Sequence, residues 1–503
     1  MAGEFELGSD EWMADYLLKG LAGDYERLAK AVSYRNGENT ILDLGLGTAV
    51  ESYPQMVQMA RLNMGEQIAN ALITKCRFTG FRTAATDDDD GDAEAGRIAK
   101  RNRLLSQYPR LAESKALYGR GYVTVLEPGD DAEPDEPATL AVTDAWRTFS
   151  LQDATRPWIT RAAVTIGWNA ETSTDTVMLF RVGATPTDPG YMRVISRFDE
   201  GGKSLFPAPG IDASTFSVNL ADPAWVWGPV IKYENIIGSG VVMFATRDGF
   251  GVYEKHYDTL DRINTGILNR LIITVMQAFK QRAVENGVLD ATYPEGHPKA
   301  GEAIDLDEMF KSGPDALWML PEGAKMWEST VVDVTPLVEA EKADLRSLAS
   351  ATATPLYVLD PTAAAGGGSA SGADLAREQH ITAVNAWRDD DGDGLAQVLS
   401  FAFQVAGDET RAQVEDITVM WLETSVVTPE AKGSAAKMMR DAGFSKTYIG
   451  EKVLGMAPAE LRREREASQV ESFAGGGVPS RPVGGSVGSG MPPRAGGAVA
   501  GGR

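Results

Sequence analysis

The sequence has few of the residues that bind metals or form disulfides. It contains one cysteine, Cys76, and three histidines in 503 residues. One cysteine cannot form a disulfide within the chain, and three histidines leave few soft ligands for a transition-metal site. His256, His297 and His380 lie far apart, so no Ser/His/Asp or Cys/His catalytic arrangement can be assembled from them with any specificity. We therefore expect a protein of a reducing cytoplasm that is not an enzyme and needs no cofactor.

Positive charge is also scarce. There are 48 Lys and Arg against 71 Asp and Glu, which gives a formal net charge of −23 at pH 7. This balance opposes tight wrapping of a phosphate backbone, because such binding depends on basic side chains that displace counterions. A conventional DNA-binding domain is therefore not expected. The G-x-x-x-x-G-K-[ST] pattern of nucleotide-driven motors is absent as well.

Long hydrophobic runs are missing. The best of them, LIITVMQAF at residues 271–279, is bounded by Arg270 and Lys280. It is far shorter than the roughly 20 residues that a membrane helix needs. The first residues carry acids, among them Glu4 and Glu6, where a secretory signal would carry lysine or arginine. We expect neither a membrane span nor export.

One motif that is present is ILDLGLGTAV at residues 41–50, which reads like the nucleotide turn of an S-adenosylmethionine-dependent methyltransferase. In such a turn the glycines let the backbone approach the cofactor, and an acid at the end of the next strand binds the ribose. Here the third small position is Ala49, Pro54 follows closely, and the next residues are predicted to form one helix with no second strand behind it. We predict a connector between two helices, with a methyltransferase built on residues 41–49 as an alternative function.

A second motif is RDDDGDGLAQVLS at residues 388–400. Asp389, Asp391 and Asp393 fall at positions one, three and five of an EF-hand loop, and a glycine follows at position six. Position twelve, which should be a bidentate glutamate, is Ser400. Calcium affinity should then be poor, and Asp393 has a simpler role as the N-cap of the next helix. A calcium-binding structural protein is the second alternative, with the three aspartates as weak candidate ligands.

Local patterns predict a chain of mixed α and β structure. Helical periodicity covers residues 10–32 and returns after the glycine motif, whereas strand-like runs separated by Gly, Pro, Asp and Asn fill residues 138–252. A helix is predicted over residues 258–282, because acids lie in its first turn and cations in its last. Six acids within residues 87–94 predict an exposed loop.

The remainder of the sequence is predicted to be mainly helical. A loop-rich insert precedes a helix that begins at Thr335, and the segment 352–372 is rich in helix-breaking Gly and Pro. A long helix starts near Ala373, is interrupted at Gly392 and Gly394, and is followed by further helical segments. The Gly/Pro/Ser-rich tail has too few apolar side chains to offset the entropy of ordering it.

Five local phrases follow one another in this chain. They are LNMGEQIANALITKCRFTGF, ALYGRGYVTV, YEKHYDTLDRINTGILNRL, LASATATPLYVL with SASGADLAREQ, and AAKMMRDAGFSKTYIGEKVLGMAPAEL. Their content and order resemble the portal proteins of tailed bacteriophages, of the siphovirus type. The likeness covers most of residues 10–467. In that family the phrases are similar to an early helix, the helix-to-strand step into the wing, the stem helix, the tunnel-loop region and the C-terminal helices.

The resemblance implies an α+β portal-type fold with a helical wing and stem, a β-rich wing segment, an α/β clip and a helical C-terminal crown, assembled into a ring. The implied regions are the N-terminal helical region of the wing at residues 1–137, the β-rich region of the wing at residues 138–257, the stem helix 258–282, the clip 283–333, the second stem helix 334–351, the tunnel loop 352–372, the long kinked wing helix with the following strand 373–427, the C-terminal crown 428–472 and a disordered tail 473–503.

The resemblance also implies a function. A ring, usually of twelve subunits, would sit at one capsid vertex of the virion after assembly in the bacterial host cytoplasm. Double-stranded DNA would be packaged and ejected through it without sequence specificity. The implied partners are the terminase large subunit, the head-tail adaptor, and the major capsid and scaffolding proteins.

Candidate site residues follow from the same comparison by position. The tunnel loop would include Tyr357, Asp360, Gly366, Gly367, Gly368 and Ser369, and the clip would include Asp307, Trp318 and Trp327. The stem cations Arg270, Lys280, Arg282 and Arg346 could give only local phosphate contacts, or simply solvate a helix face.

Two physical features of the bare sequence agree with a ring. A conduit must not hold the polymer that it passes, and a −23 chain repeated around a ring would keep DNA from adhering. The helix at 258–282 is apolar over a wide arc, which neighbouring subunits could cover; burial within one subunit is the other explanation.

Overall fold

The computed structural model describes most of the chain. The described residues are 5–38, 53–85, 91–129, 137–208, 216–278, 282–285, 325–328, 330–361, 370–422, 429–456 and 458–475, with a few more between 292 and 302. The glycine motif, most of the predicted clip and the C-terminal tail lie outside them. Helices account for 48% of the structure and strands for 19%, which confirms the mixed α+β class.

The N-terminal region is mainly helical. Its helices are α1 (Asp10–Arg35), α2 (Tyr53–Ala60), α3 (Met64–Ile73), α4 (Ala93–Arg101) and α5 (Leu104–Tyr118). α1 begins where the Ser9 hydroxyl accepts the backbone N–H of Trp12 at 3.1 Å, an N-cap that satisfies a donor left free by the first turn. Leu17, Leu21 and Leu28 lie on its buried side. The helix predicted over residues 10–32 is confirmed.

The single helix predicted after the glycine motif is wrong. The chain leaves α2 at Ala60, and Asn63 starts α3 by accepting the backbone N–H of Glu66 and donating to its carboxylate at 2.6 Å. An asparagine that bonds the local backbone in this way favours a helix start over a helix interior. A strand that was not predicted follows, β1 (Phe78–Arg82), and pairs antiparallel with a strand near the C-terminus, β12 (Thr418–Trp421).

The middle of the chain forms two antiparallel sheets. The strands are β2 (Arg120–Leu126), β3 (Thr139–Asp144), β4 (Thr148–Gln152), β5 (Thr160–Asn169), β6 (Thr174–Arg181), β7 (Tyr191–Phe198), β8 (Trp225–Lys232) and β9 (Val241–Ala245). One sheet has the order β3-β2-β9 and the other β4-β5-β6-β7-β8. The predicted β-rich segment is confirmed. A methyltransferase nucleotide site needs parallel strands joined by helices, whereas every strand pairing in the described residues is antiparallel.

The second half of the chain returns to helices. In order the elements are α6 (Tyr257–Ala278), the antiparallel pair of β10 (Arg282–Glu285) and β11 (Lys325–Glu328), α7 (Thr335–Ala351), α8 (Leu356–Leu359), α9 (Ala370–Val405), β12, α10 (Pro429–Asp441), α11 (Lys446–Ile449), a π-helical turn (Gly450–Leu454) and α12 (Pro458–Gly475). Within the segment predicted as a loop at 352–372, α8 is helical and α9 has already begun.

The interruption predicted in the long helix is wrong, and so is the calcium loop. α9 runs without a break from Ala370 to Val405 through the three aspartates and both glycines. Asp389, Asp391 and Asp393 are therefore helical residues, so their carboxylates cannot converge as loop ligands and Asp393 is not an N-cap. Gly394 faces the ring of Phe244, and a Cβ at this position would lie 2.6 Å from Phe244 Cε1. The absence of a side chain at Gly394 therefore allows α9 to pack closely against Phe244.

The two glycines of α9 should respond to substitution in opposite directions. Gly394→Ala is expected to destabilise the protein by about 1–3 kcal/mol, because the new methyl group must displace Phe244 in a packed core. Gly392→Ala is expected to stabilise it by about 0.5–1 kcal/mol through helix propensity. The nearest atom to a Cβ there is Trp421 Nε1 at 3.9 Å. Thermal denaturation of both variants checks this; shifts of the same sign would contradict the packing role.

Candidate functional site

The candidate functional site is a pair of helices that leaves the body of the protein. α6 has 22 residues and is about 33 Å long at 1.5 Å per residue, and α7 packs beside it. Their inner ends are buried in the core, through Leu260, Ile263 and Ile267 of α6 and through Leu345 and Leu348 of α7. This root anchors both helices.

Burial stops abruptly along both helices. After Leu268, no described side chain of α6 is buried, and before Leu345 no side chain of α7 is buried. We call residues 269–278 of α6 together with residues 335–344 of α7 the two-helix arm. The β10–β11 pair lies between the two helices of the arm in the chain.

Polar contacts hold the two helices side by side. Arg262 donates to both carboxylate oxygens of Asp344, at 3.0 and 2.8 Å, and Arg270 lies 3.4 Å from the Glu341 carboxylate. Gln277 Nε2 donates to the backbone carbonyl of Val332 at 2.9 Å. Exposed ion pairs of this kind add little stability, but they fix the register of one helix against the other.

Apolar side chains on and next to the arm stay in contact with water. Leu271, Ile272 and Val275 touch the edge of the core, whereas Ile273 is half-buried and packs against no buried core residue that the structure describes. Val331 and Val332, just before α7, are 73% and 53% exposed. Leu337 and Val338 are half-buried in the first turns of α7.

Among the described residues of one subunit, these apolar side chains on and next to the arm therefore remain half-buried or exposed. Exposed apolar surface that is concentrated in one place marks an interaction site more often than an accident of folding. It also favours neighbouring subunits over burial within one subunit as the reason for the wide apolar arc of α6.

The predicted stem and clip residues are placed in different settings. Arg270 is already paired with Glu341 in its own subunit, and Arg346 is exposed on α7. Arg282 lies in β10, and Trp327, opposite Ala283 in the β10–β11 pair, is 50% exposed. Lys280, Asp307 and Trp318 lie outside the described residues.

The predicted tunnel-loop residues are divided in the same way. Tyr357 is on α8 and 47% exposed, and Asp360 follows the end of that helix. Gly366, Gly367, Gly368 and Ser369 lie outside the described residues. The structure therefore does not bring the predicted residues together into one cluster among the residues that it describes.

A buried polar centre was not predicted from the sequence. Lys115 Nζ of α5 lies 2.6 Å from Asp391 Oδ1 of α9, and the Tyr108 hydroxyl donates to Asp391 Oδ2. The side chains of Lys115 and Asp391 are only 2% and 1% exposed. Burial raises the pKa of Asp391 above its usual range, although the Lys115 ammonium and the Tyr108 hydroxyl both favour the ionised form. The Lys115 ammonium also lies 4.2 Å from the centre of the Trp387 ring.

Arg388 extends this centre to the last strand. Its guanidinium donates to the backbone carbonyls of Lys75 and Leu422, the latter at 2.7 Å. The centre therefore joins α5, α9 and the chain next to β1 and β12 into one body. One signal could have found it, because Asp391 falls in the apolar stripe of α9 that contains Val384 and Leu395.

Comparisons with known proteins give coarse likenesses. No protein-family model and no curated protein matches the chain. A chain from the neck of an empty gene transfer agent (GTA) particle, computed with C6 symmetry, is 11% identical, with a TM-score of 0.36 over 79% of this chain and 87% of that chain. A chain from the neck of a native GTA particle, computed with C12 symmetry, is 14% identical, with a TM-score of 0.35 over the same shares. Likenesses at these TM-scores are too coarse to argue from.

Two further properties concern the described residues of the chain. None of their helices combines the length and the hydropathy that crossing a membrane requires. Nor do three His, Cys, Asp or Glu side chains come together there in a way that could hold a metal ion.

Proposed function

We propose that the chain assembles into a ring, and that the ring is a bacteriophage portal, a conduit for double-stranded DNA at one capsid vertex. The observation that carries this proposal is the two-helix arm, whose apolar side chains are no more than half-buried by the described residues of a single subunit. The order of elements supports it as well, because helices, sheets, the paired stem helices, a long helix and C-terminal helices follow one another as the sequence resemblance to portal proteins implies.

Copies of the arm can cover one another. A helix pair with little tertiary burial is marginal in water, so its apolar residues need a partner. If the arm of one copy packs against a different face of the next, the contact is head-to-tail, and head-to-tail contacts close into rings when the rotation between copies allows it. Ile273, Val331 and Val332 would then be buried between neighbouring subunits.

The charge of the chain suits a channel through which DNA moves. At −23 per subunit, the assembled ring repels phosphate over most of its surface. In the stem, Arg262 and Arg270 are neutralised by Asp344 and Glu341 of the same subunit. DNA would meet few free cations there, so it would slide without being held.

The proposed ring would bind several partner proteins. The exposed Trp327 of the β10–β11 pair would contribute to the surface that meets the terminase large subunit during packaging and the head-tail adaptor afterwards. The major capsid and scaffolding proteins complete the proposed set of partners. A dodecamer in the virion is the assembly that the resemblance implies.

Mass photometry of the purified full-length protein tests the proposal. The expected result is one large species whose mass is about twelve times the 53.9 kDa of the chain, stable over a range of salt and protein concentrations. A species that stays at 53.9 kDa under all these conditions would count against a ring and therefore against a portal.

A further inference from the structure

Charge is distributed very unevenly along this acidic chain. Residues 429–503 hold 11 Lys and Arg against 7 Asp and Glu, a net charge of +4, which leaves −27 for residues 1–428. After Glu471 the sequence has no acid at all but three arginines, Arg481, Arg494 and Arg503. A charge asymmetry of this kind between segments of a chain points to a polyanionic partner for the basic segment.

The basic residues converge on one groove. α10, α11, the π-helical turn and α12 enclose a groove of about 990 Å³, which we call the C-terminal groove. Lys437 and Arg440 reach it from the same face of α10, because they are three residues apart. Lys446 of α11 and Arg465 of α12 line it as well, with Glu464 as the acid among the lining residues.

Neutral partners hold two of these cations in place. Lys446 Nζ lies 3.2 Å from the Ser468 hydroxyl, and Arg465 Nη2 donates to the Thr447 hydroxyl at 3.2 Å. Both contacts join α11 to α12 across the groove. The contacts position the two side chains at the groove.

Lys437 and Arg440 differ from the cations of the body. Both are exposed, and neither has a carboxylate partner among the residues that the structure describes. Body cations such as Arg262 and Arg411 are paired with aspartates, and Glu451, one of the few acids near the groove, is paired with Arg82 of the body. The positive charges of Lys437 and Arg440 are therefore not compensated by a carboxylate among the described residues.

We propose that the C-terminal groove binds the phosphate backbone of double-stranded DNA. This inference rests on the proposed portal function and adds to it a specific contact: the stem repels DNA, whereas the C-terminal helices make local contacts with its phosphates. Long duplex DNA suits the site better than a short acidic peptide, because the basic character continues past the groove into Arg481, Arg494 and Arg503. The contact is not sequence-specific, since exposed Lys and Arg side chains meet phosphates alone.

The test measures binding of a short fluorescent DNA duplex to the full-length protein by anisotropy across a salt series. The double variant Lys437→Glu/Arg440→Glu is compared with Lys203→Glu/Lys232→Glu. The second pair changes the net charge by the same amount at exposed body lysines without a carboxylate partner in the described residues. The groove variant is expected to lose at least about tenfold in affinity and to reduce the slope of log K against log salt by about 2. The body variant should change affinity less than about threefold, on the order of what bulk charge alone produces.

Equal losses in the two double variants would overturn the proposal, because they would show an effect of total charge. So would the absence of DNA binding by the unaltered protein at low salt. If the groove variant changes only the mass of the assembly, the groove binds an acidic segment of another copy, and the DNA proposal is again wrong. Mass photometry of the same samples separates the two proposals: intact rings with unchanged DNA affinity reject the groove alone, whereas a missing ring in the unaltered protein rejects the portal.

Discussion

Asp391→Ala is expected to lower the free energy of unfolding by about 3–5 kcal/mol, the usual effect of removing one partner from a buried ion pair. The substitution leaves the ammonium of Lys115 and the hydroxyl of Tyr108 in the core without an acceptor, and Lys115 is almost fully buried. For a chain of 503 residues, the apparent melting temperature should fall by about 3–5 °C. Differential scanning fluorimetry measures this directly.

Asp390→Ala is the matched control for this variant. Asp390 is the neighbouring residue on α9, its side chain is 38% exposed, and its ion pair with Arg247 spans 3.6 Å at the surface. The loss of that pair should cost less than about 1 kcal/mol. Equal effects of the two substitutions would contradict a structural role for the buried centre.

A double-mutant cycle measures how strongly Lys115 and Asp391 depend on each other. Lys115→Met alone leaves the Asp391 carboxylate buried without its cation and should also be strongly destabilising. The double variant Lys115→Met/Asp391→Ala removes both charges, so its cost should be smaller than the sum of the single costs by more than about 1 kcal/mol. Additive costs would show that the two side chains act independently.

Ile273→Glu is expected to break the ring into smaller species without unfolding the subunit. Ile273 lies on the two-helix arm, is half-buried, and packs against no buried core residue in the described chain. A carboxylate placed there would have to lose its water when the next subunit covers the arm, which costs several kcal/mol. The mass distribution from mass photometry should shift from the assembled ring toward 53.9 kDa.

Ile273→Met is the control, since it keeps an apolar side chain of similar size and should leave the ring intact. Circular dichroism of both variants should match the unaltered protein. If Ile273→Glu assembles as well as the unaltered chain does, the arm is not covered by a neighbour. If its helical signal is lost, Val332→Glu repeats the test outside the helix, at a residue that is 53% exposed.

The sequence predicted the elements whose pattern is local. α1, α6 and the strands of the middle segment follow from periodic apolar spacing and from turn residues, which act over a few positions. The break between α2 and α3 was missed because the cap depends on one asparagine, Asn63, within an otherwise continuous helical pattern. The continuity of α9 was missed because Gly394 was interpreted as a helix breaker. In the structure this glycine makes room for Phe244 of a distant strand, a contact that the local sequence does not reveal.

The polar centre shows why a site is harder to predict than a helix. Asp391 and Lys115 are 276 residues apart in the chain, and nothing local to either of them identifies the other. The three neighbouring aspartates suggested an EF-hand loop, because that motif is recognised by spacing alone. In the structure Asp389 is exposed and Asp391 is buried, as expected for residues two positions apart on a helix. The spacing of the three aspartates therefore did not predict a calcium-binding loop correctly.

The arm lies between these two cases. The wide apolar arc of α6 was visible in the sequence, and it left two explanations open, burial within one subunit or cover by a neighbour. Among the described residues, burial stops after Leu268 on α6 and before Leu345 on α7, and this point favours cover by a neighbour. That point depends on how far the body extends around the helices, which is a property of the whole fold.

Negative-stain electron microscopy of the full-length protein tests the ring most directly. If the arms cover one another, end-on views should show a closed ring of identical subunits around a stain-filled central hole, and the same preparation of Ile273→Glu should lose these views. Uniform particles of single-subunit size in the unaltered protein, with no ring at any concentration, would contradict assembly through the arm.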